Sequence, residues 1–171
     1  MRFLVAPALL LASVTIACSA IKPADEQGPP PGIATTTGTI EGLTLASDHG
    51  VSIARSFPPT MELKIAIDAL TCTETQASDR ITIDVGGSTP GTYTVVKGFP
   101  NKTSLAAFQA RAHACPKKVG DVPSACHESV VSGKVVLTRV DPEVGGVVEG
   151  TFDLTLADGD VHGTFSATRC Q

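Results

Sequence analysis

The chain has no tryptophan, one tyrosine and six phenylalanines in 171 residues. Its core must therefore come mainly from Val, Ile and Leu, and β-branched residues favour strands. Basic residues are scarce as well: 13 Lys and Arg stand against 17 Asp and Glu, for a net charge of −4. That balance argues against nucleic acid, whose binding draws on Lys and Arg contacts to phosphates. It also argues against docking on anionic lipid by charge. Beyond residue 17 no apolar run approaches the roughly 20 residues that a membrane-crossing helix needs. A phosphate-binding Gly-rich loop and a dinucleotide fingerprint are missing. Ser88, in Gly86-Gly87-Ser88-Thr89-Pro90, is not a nucleophile elbow, because Pro90 stands where that turn requires glycine.

What is there begins with Met1-Arg2-Phe3 and an uncharged run to Ala17. Its length of about 15 residues fits the apolar region of a signal peptide and falls short of a permanent span. The run ends Val14-Thr15-Ile16-Ala17-Cys18-Ser19. This resembles the lipobox of bacterial lipoprotein precursors, in which the thiol takes a diacylglyceryl group and the peptidase then cuts before the modified cysteine. Ala17 supplies the small residue required upstream, whereas Thr15 replaces the usual aliphatic one. Cleavage by the ordinary signal peptidase at Thr15-x-Ala17 or Cys18-x-Ala20 is the competing outcome. The resemblance implies a signal peptide over 1–17, lipidation of Cys18 and a membrane partner held through the N-terminal lipid. Acyl chains bury about 0.8 kcal/mol per methylene, so two or three anchor stably. By analogy with lipoprotein sorting, Ser19 points to the outer membrane.

Cysteine arithmetic agrees. Five cysteines stand at 18, 72, 115, 126 and 170. An odd count in an exported chain needs a reason. Giving Cys18 to lipid leaves four, which can pair completely in an oxidising compartment. Of the three connectivities, we expect Cys115–Cys126, closing a short loop with Pro116, Gly120 and Pro123, and Cys72–Cys170 by elimination. Residues 18–37 hold the lipidated end and a tether, because Ile21 to Thr37 carries four prolines and two glycines in seventeen residues. Such a segment is semi-extended around Pro29-Pro30-Pro31. Loss of residues 1–17 removes Arg2 and takes the net charge from −4 to −5. Residues 38–171 remain as one domain, long enough for a real core.

Period-two alternation dominates that domain. Leu63, Ile65, Ile67 and Ala69 share a face opposite Glu62, Lys64 and Asp68. Ile81, Ile83 and Val85 do the same, followed by Tyr93 with Val95, and Val135 with Leu137. Phe152, Leu154 and Leu156 come next, then Phe165 and Ala167. Asp158-Gly159 is a hairpin turn signal, since glycine takes the positive φ required there. Asp48-His49-Gly50 and Asp141 to Gly146 read as turns too. Ser104 to Ala114 is Ala-rich and fits a short helix or a strand, the strand being preferred in these surroundings. Gly150-Thr151-Phe152-Asp153 resembles Gly163-Thr164-Phe165-Ser166, which adjacent hairpin strands explain. The expected fold is all-β: an antiparallel sandwich or barrel of about eight strands in a meander, with at most one short helix.

The C-terminal third, with Ser132-Gly133-Lys134-Val135-Val136-Leu137-Thr138, Gly150-Thr151-Phe152-Asp153-Leu154, Gly163-Thr164-Phe165 and Cys170, is similar to a loose group of β-rich bacterial lipoproteins of unassigned function, some calycin-like. The resemblance implies an all-β fold and no catalytic residues. His113-x-Cys115 and Cys126-His127 suggest a zinc site, but oxidised cysteines flanked by two exposed histidines read more simply. His127-Glu128 lacks the second histidine of a zincin, with Val131 in its place. Glu143, Glu149, Asp153, Asp158 and Asp160 offer calcium ligands, or merely a solvated acidic face. Asn101-Lys102-Thr103 is a formal sequon, which the resemblance to bacterial lipoproteins would make irrelevant. We therefore expect no cofactor, no catalytic residue and no metal, with His113 and His127 as weak candidates. The expected role is a non-enzymatic interaction module of the envelope or surface, with its protein or small-molecule partner open. The alternatives are a carrier of a small apolar ligand in a calycin-like barrel and a metal-dependent hydrolase.

Overall fold

The computed structural model describes residues 30–40, 43–97, 104–117, 120, 126, 130–156 and 159–171. Ten strands account for most of them: β1 (Gly32–Ile40), β2 (Leu43–Thr44), β3 (Ser47–Phe57), β4 (Thr60–Ala66), β5 (Arg80–Val85), β6 (Gly91–Val95), β7 (Gln109–Cys115), β8 (Val130–Val140), β9 (Val147–Leu156) and β10 (Gly159–Arg169). The pairing runs β10-β9-β8-β6-β7-β5-β4-β3-β1, and β1 then returns to β10. Nine strands thus close a barrel, while β2 adds only to the end of β1. β10 outruns β1 and continues in parallel beside β3, with Thr168 opposite Ile53 and Arg169 opposite Ala54.

The all-β expectation holds, with one departure from a meander. β6 lies between β7 and β8 and runs parallel to β7. Parallel neighbours need a crossover of about a dozen residues, and residues 96–108 supply it. That explains the ambiguous Ala-rich stretch. From Gln109 it is strand, with Ala110, Ala112 and Ala114 buried, whereas Ala106 and Phe108 are exposed in the crossover. Phe108 takes a positive φ of 60° and lays its ring near Tyr93, with centroids 5.5 Å apart.

Three boundaries differ from the sequence reading. β1 starts at Gly32, so residues 32–37 belong to the barrel and not to the tether. The Pro29–Pro31 run ends just before it, and the following Thr35, Thr36 and Thr37 are β-branched strand formers. Asp48-His49-Gly50 is no turn but part of β3. Glycine is needed at 50 because a Cβ there would lie 2.7 Å from the Ala66 carbonyl oxygen. β4 stops at Ala66, so Ile67 and Ala69 leave the alternation and Cys72 sits in the loop to β5. The turn over Asp141 to Gly146 stands, with Gly145 at φ 80°. Asp158 lies outside the described residues, and Gly159 opens β10 opposite Leu156.

The inward side chains of the closed sheet form one buried cluster, including Leu63, Ile83, Tyr93, Val135, Leu154 and Phe165. The single tyrosine is fully buried and satisfies its hydroxyl by donating to the Thr89 carbonyl at 2.7 Å. The two similar tetrapeptides have a specific geometry. Gly150 pairs with Phe165, Thr151 with Thr164, and Phe152 with Gly163. Each ring therefore covers the opposite glycine, its Cζ 2.8 Å from where that glycine's Cβ would stand. The repeat is a local two-fold within one hairpin, and it fills the barrel with rings where the backbone leaves room.

Candidate functional site

The strand register sorts the outward side chains into rows, and two regions of the outer wall stand out. The first crosses β3, β1, β10, β9 and β8. Val51 is opposite Ile33, Ile33 opposite Ser166, and Ser166 opposite Glu149. In the next row Thr35 is opposite Thr164, and Thr164 opposite Thr151. These side chains line a groove of about 490 Å³. Ile33 is 73% exposed although it lies within a strand. The hydroxyls of Thr35 and Thr164 are 2.9 Å apart, and Ser166 Oγ donates to Glu149 Oε1 at 3.5 Å. The groove offers aliphatic surface, hydroxyls and carboxylates from Glu149 and Asp48.

The second region lies on β3, β4, β5 and β7 and is polar yet buried. One row runs Arg55, Glu62, Asp84, Arg111, and the next runs Ile53, Lys64, Thr82, His113. Asp84 is 1% exposed and accepts from Arg111 Nε at 2.6 Å. Glu62 and Lys64 pair at 3.3 Å. Loop segments draw over this wall. Arg55 Nη2 donates to the Cys72 carbonyl, and Lys117 N donates to Asp79 Oδ1 at 2.7 Å. Burial pulls the Lys64 ammonium below its usual range, with Glu62 partly restoring it. The alternation at residues 80–85 correctly sends Ile81, Ile83 and Val85 inward. It gives no sign that Arg80, Thr82 and Asp84 are covered too, because that burial comes from loops distant in sequence.

Both expected disulfides are present: Cys72–Cys170, which closes 98 residues, and Cys115–Cys126, which closes 11. Beside the second stands His113, two residues before Cys115 on the same outward face of β7. The ligand atoms of His113, Cys115 and Cys126 lie within 4.8 Å of one another. Among the described residues this is the one group of three or more His, Cys, Asp or Glu so arranged. The acidic residues weighed for calcium do not converge: Glu143 sits in the turn before β9, and Asp160 pairs with Thr155 near its far end. A strand of ten residues separates such ends by about 30 Å. His127, Asp158 and Cys18 lie outside the described residues. Comparison with protein-family models, curated proteins and solved structures yields no match.

Burial pushes the His113 imidazole down to about 4, against a partial upward pull from Asp84 and a further downward push from Arg111, Arg80 and Lys64. The unfolded chain, with an ordinary imidazole near 6.5, takes up the proton first. Stability from a neutral buried His113 is therefore complete above about pH 6.5 and lost as pH falls towards 4, by about 3 kcal/mol. Urea unfolding of the oxidised protein at neutral pH and near pH 4 should show that loss. His113→Gln should lack this component, and equal pH slopes in the two proteins would exclude it.

Proposed function

We propose that this chain is an exported lipoprotein, held to the cell envelope, in particular the outer membrane, by acyl chains on Cys18. Its barrel then serves as a non-enzymatic interaction module. The observation that carries the anchor is the completed pairing: four of the five cysteines form two bridges, leaving Cys18 over for lipid. Bridges of this kind persist in oxidising compartments. The lipid supplies the attachment, because the barrel wall has the wrong pattern for a bilayer. A membrane barrel turns an apolar band outward and polar groups inward. Here the inward face is apolar, while Lys134, Asp153 and His162 form an exposed row at mid-wall of β8, β9 and β10.

Recognition falls to the outer wall. A carrier of the calycin kind holds its ligand within the barrel, where this chain places its buried cluster. The groove around Ile33 is on the outside of the barrel, at the start of β1. Its aliphatic floor, hydroxyls and two carboxylates suit a protein segment with an apolar side chain beside a basic one.

Expression in a bacterial host with fractionation tests the anchor. The wild-type chain should be recovered with membranes, and mass spectrometry should find an acylated N-terminal peptide beginning at Cys18. Cys18→Ser should move most of the protein to the soluble fraction. An unmodified N-terminus at another residue, or membrane recovery of the Cys18→Ser protein, would overturn the reading.

A further inference from the structure

The group formed by His113, Cys115 and Cys126 belongs to neither the anchor nor the groove. It joins a disulfide to an imidazole on the same strand face, and the two halves of the bridge differ in access. Cys115 is fully buried, whereas Cys126 is partly exposed. Cys126 is therefore the more open half of the bridge, and Cys115 the half held in the wall. Thr82 Oγ1 lies 3.7 Å from Cys115 Sγ, placed to donate to a thiolate there.

We propose that reduction of the Cys115–Cys126 bridge turns these three side chains into a binding site for Zn²⁺. The chemistry balances in two steps. A dithiol reductant passes two electrons and two protons to the bridge, giving two thiols and its own disulfide. The metal then displaces the two thiol protons, which leave to solvent, and two Zn–S bonds form together with one bond to an imidazole nitrogen of His113. Two thiolates cancel the charge of the ion, so the wall takes up no net charge beyond its resident groups. Tetrahedral zinc has Zn–S near 2.3 Å and Zn–N near 2.0 Å, so its ligand atoms stand about 3.5–3.8 Å apart. The three donors already lie within 4.8 Å of one another, and the two sulfurs part when the bridge opens. Three protein ligands leave one coordination position for water or an outside donor. Oxidised, the wall carries a staple; reduced, it carries a metal site.

The test uses the purified chain with Cys18→Ser, which removes the one cysteine outside the bridges. Mild dithiol treatment followed by alkylation mapping selects conditions in which Cys115 and Cys126 are free and Cys72–Cys170 is intact. Far-ultraviolet circular dichroism checks that the barrel stays folded. Zn²⁺ is then titrated against a chromophoric chelator, and Co²⁺ in parallel reports thiolate-to-metal charge transfer. The expected result is one ion per reduced chain and none at this site in the oxidised chain. His113→Ala should weaken binding at least tenfold, and Cys115→Ser with Cys126→Ser should abolish both binding and the charge-transfer band. Absence of binding by the reduced folded chain would overturn the proposal. So would equal affinity in His113→Ala, or a bridge that opens only when the barrel unfolds.

Discussion

Replacing Cys72 and Cys170 together by alanine should destabilise the barrel by about 4–5 kcal/mol, the larger loss of the two disulfides. The loop-closure argument scales with the logarithm of the enclosed length. Cys72–Cys170 closes 98 residues and Cys115–Cys126 closes 11. The same relation gives the short bridge about 3 kcal/mol. Packing adds to the difference, because Cys72 and Cys170 sit in a second buried cluster with Ile53, Ala66 and Leu70. That cluster is where the barrel closes: Cys170 N donates to the Ala54 carbonyl at 2.7 Å, and the end of β10 runs beside β3. For a domain of this size such a loss lowers Tm by roughly 15 °C. Thermal and urea unfolding of the two paired-alanine variants measures the contrast directly. A Cys115→Ala, Cys126→Ala protein less stable than its long-loop counterpart would refute the argument.

What could be read in the sequence followed from interactions local along the chain. Alternation in 61–66, 81–85, 135–137 and 152–156 identified inward residues correctly, since a strand's side chains change face at every step. Both bridges were legible because four cysteines admit few pairings. Three features were not legible, and each depends on a neighbour remote in sequence. The crossover that inserts β6 beside β7 is specified by where Val95 and Gln109 end up, and not by the Ala-rich residues between them. Asp48 to Gly50 looks like a turn until β1 is placed beside it, with Ala34 opposite Gly50 and Thr36 opposite Ser47. The buried row of Arg55, Glu62, Asp84 and Arg111 comes from four strands, and each member alone reads as an ordinary outward charge. The site suffered most from this. His113 was visible as a motif beside Cys115, but its burial was not.

The same buried row carries the second large effect. Asp84→Ala should cost about 3–5 kcal/mol, since it takes the carboxylate from a cation that is itself largely desolvated. Asp84 is 1% exposed and Arg111 12%, with Oδ2 and Nε 2.6 Å apart. Arg111 cannot relieve the loss by deprotonating, because its guanidinium stays charged at any ordinary pH. Adding Arg111→Met removes the cation and keeps an unbranched chain along the wall. The double variant should therefore be more stable than Asp84→Ala alone, even though it carries one more substitution. That non-additivity is the signature of a charge pair buried together, and a double-mutant cycle by urea unfolding reads it. Strict additivity would mean that water reaches both groups and that the row is a solvated ladder after all. A positive coupling would make this wall a rigid, loop-covered face. Recognition by the folded barrel would then fall to the exposed wall around Ile33, and Ile33→Asp would disturb binding while leaving the Asp84–Arg111 coupling unchanged.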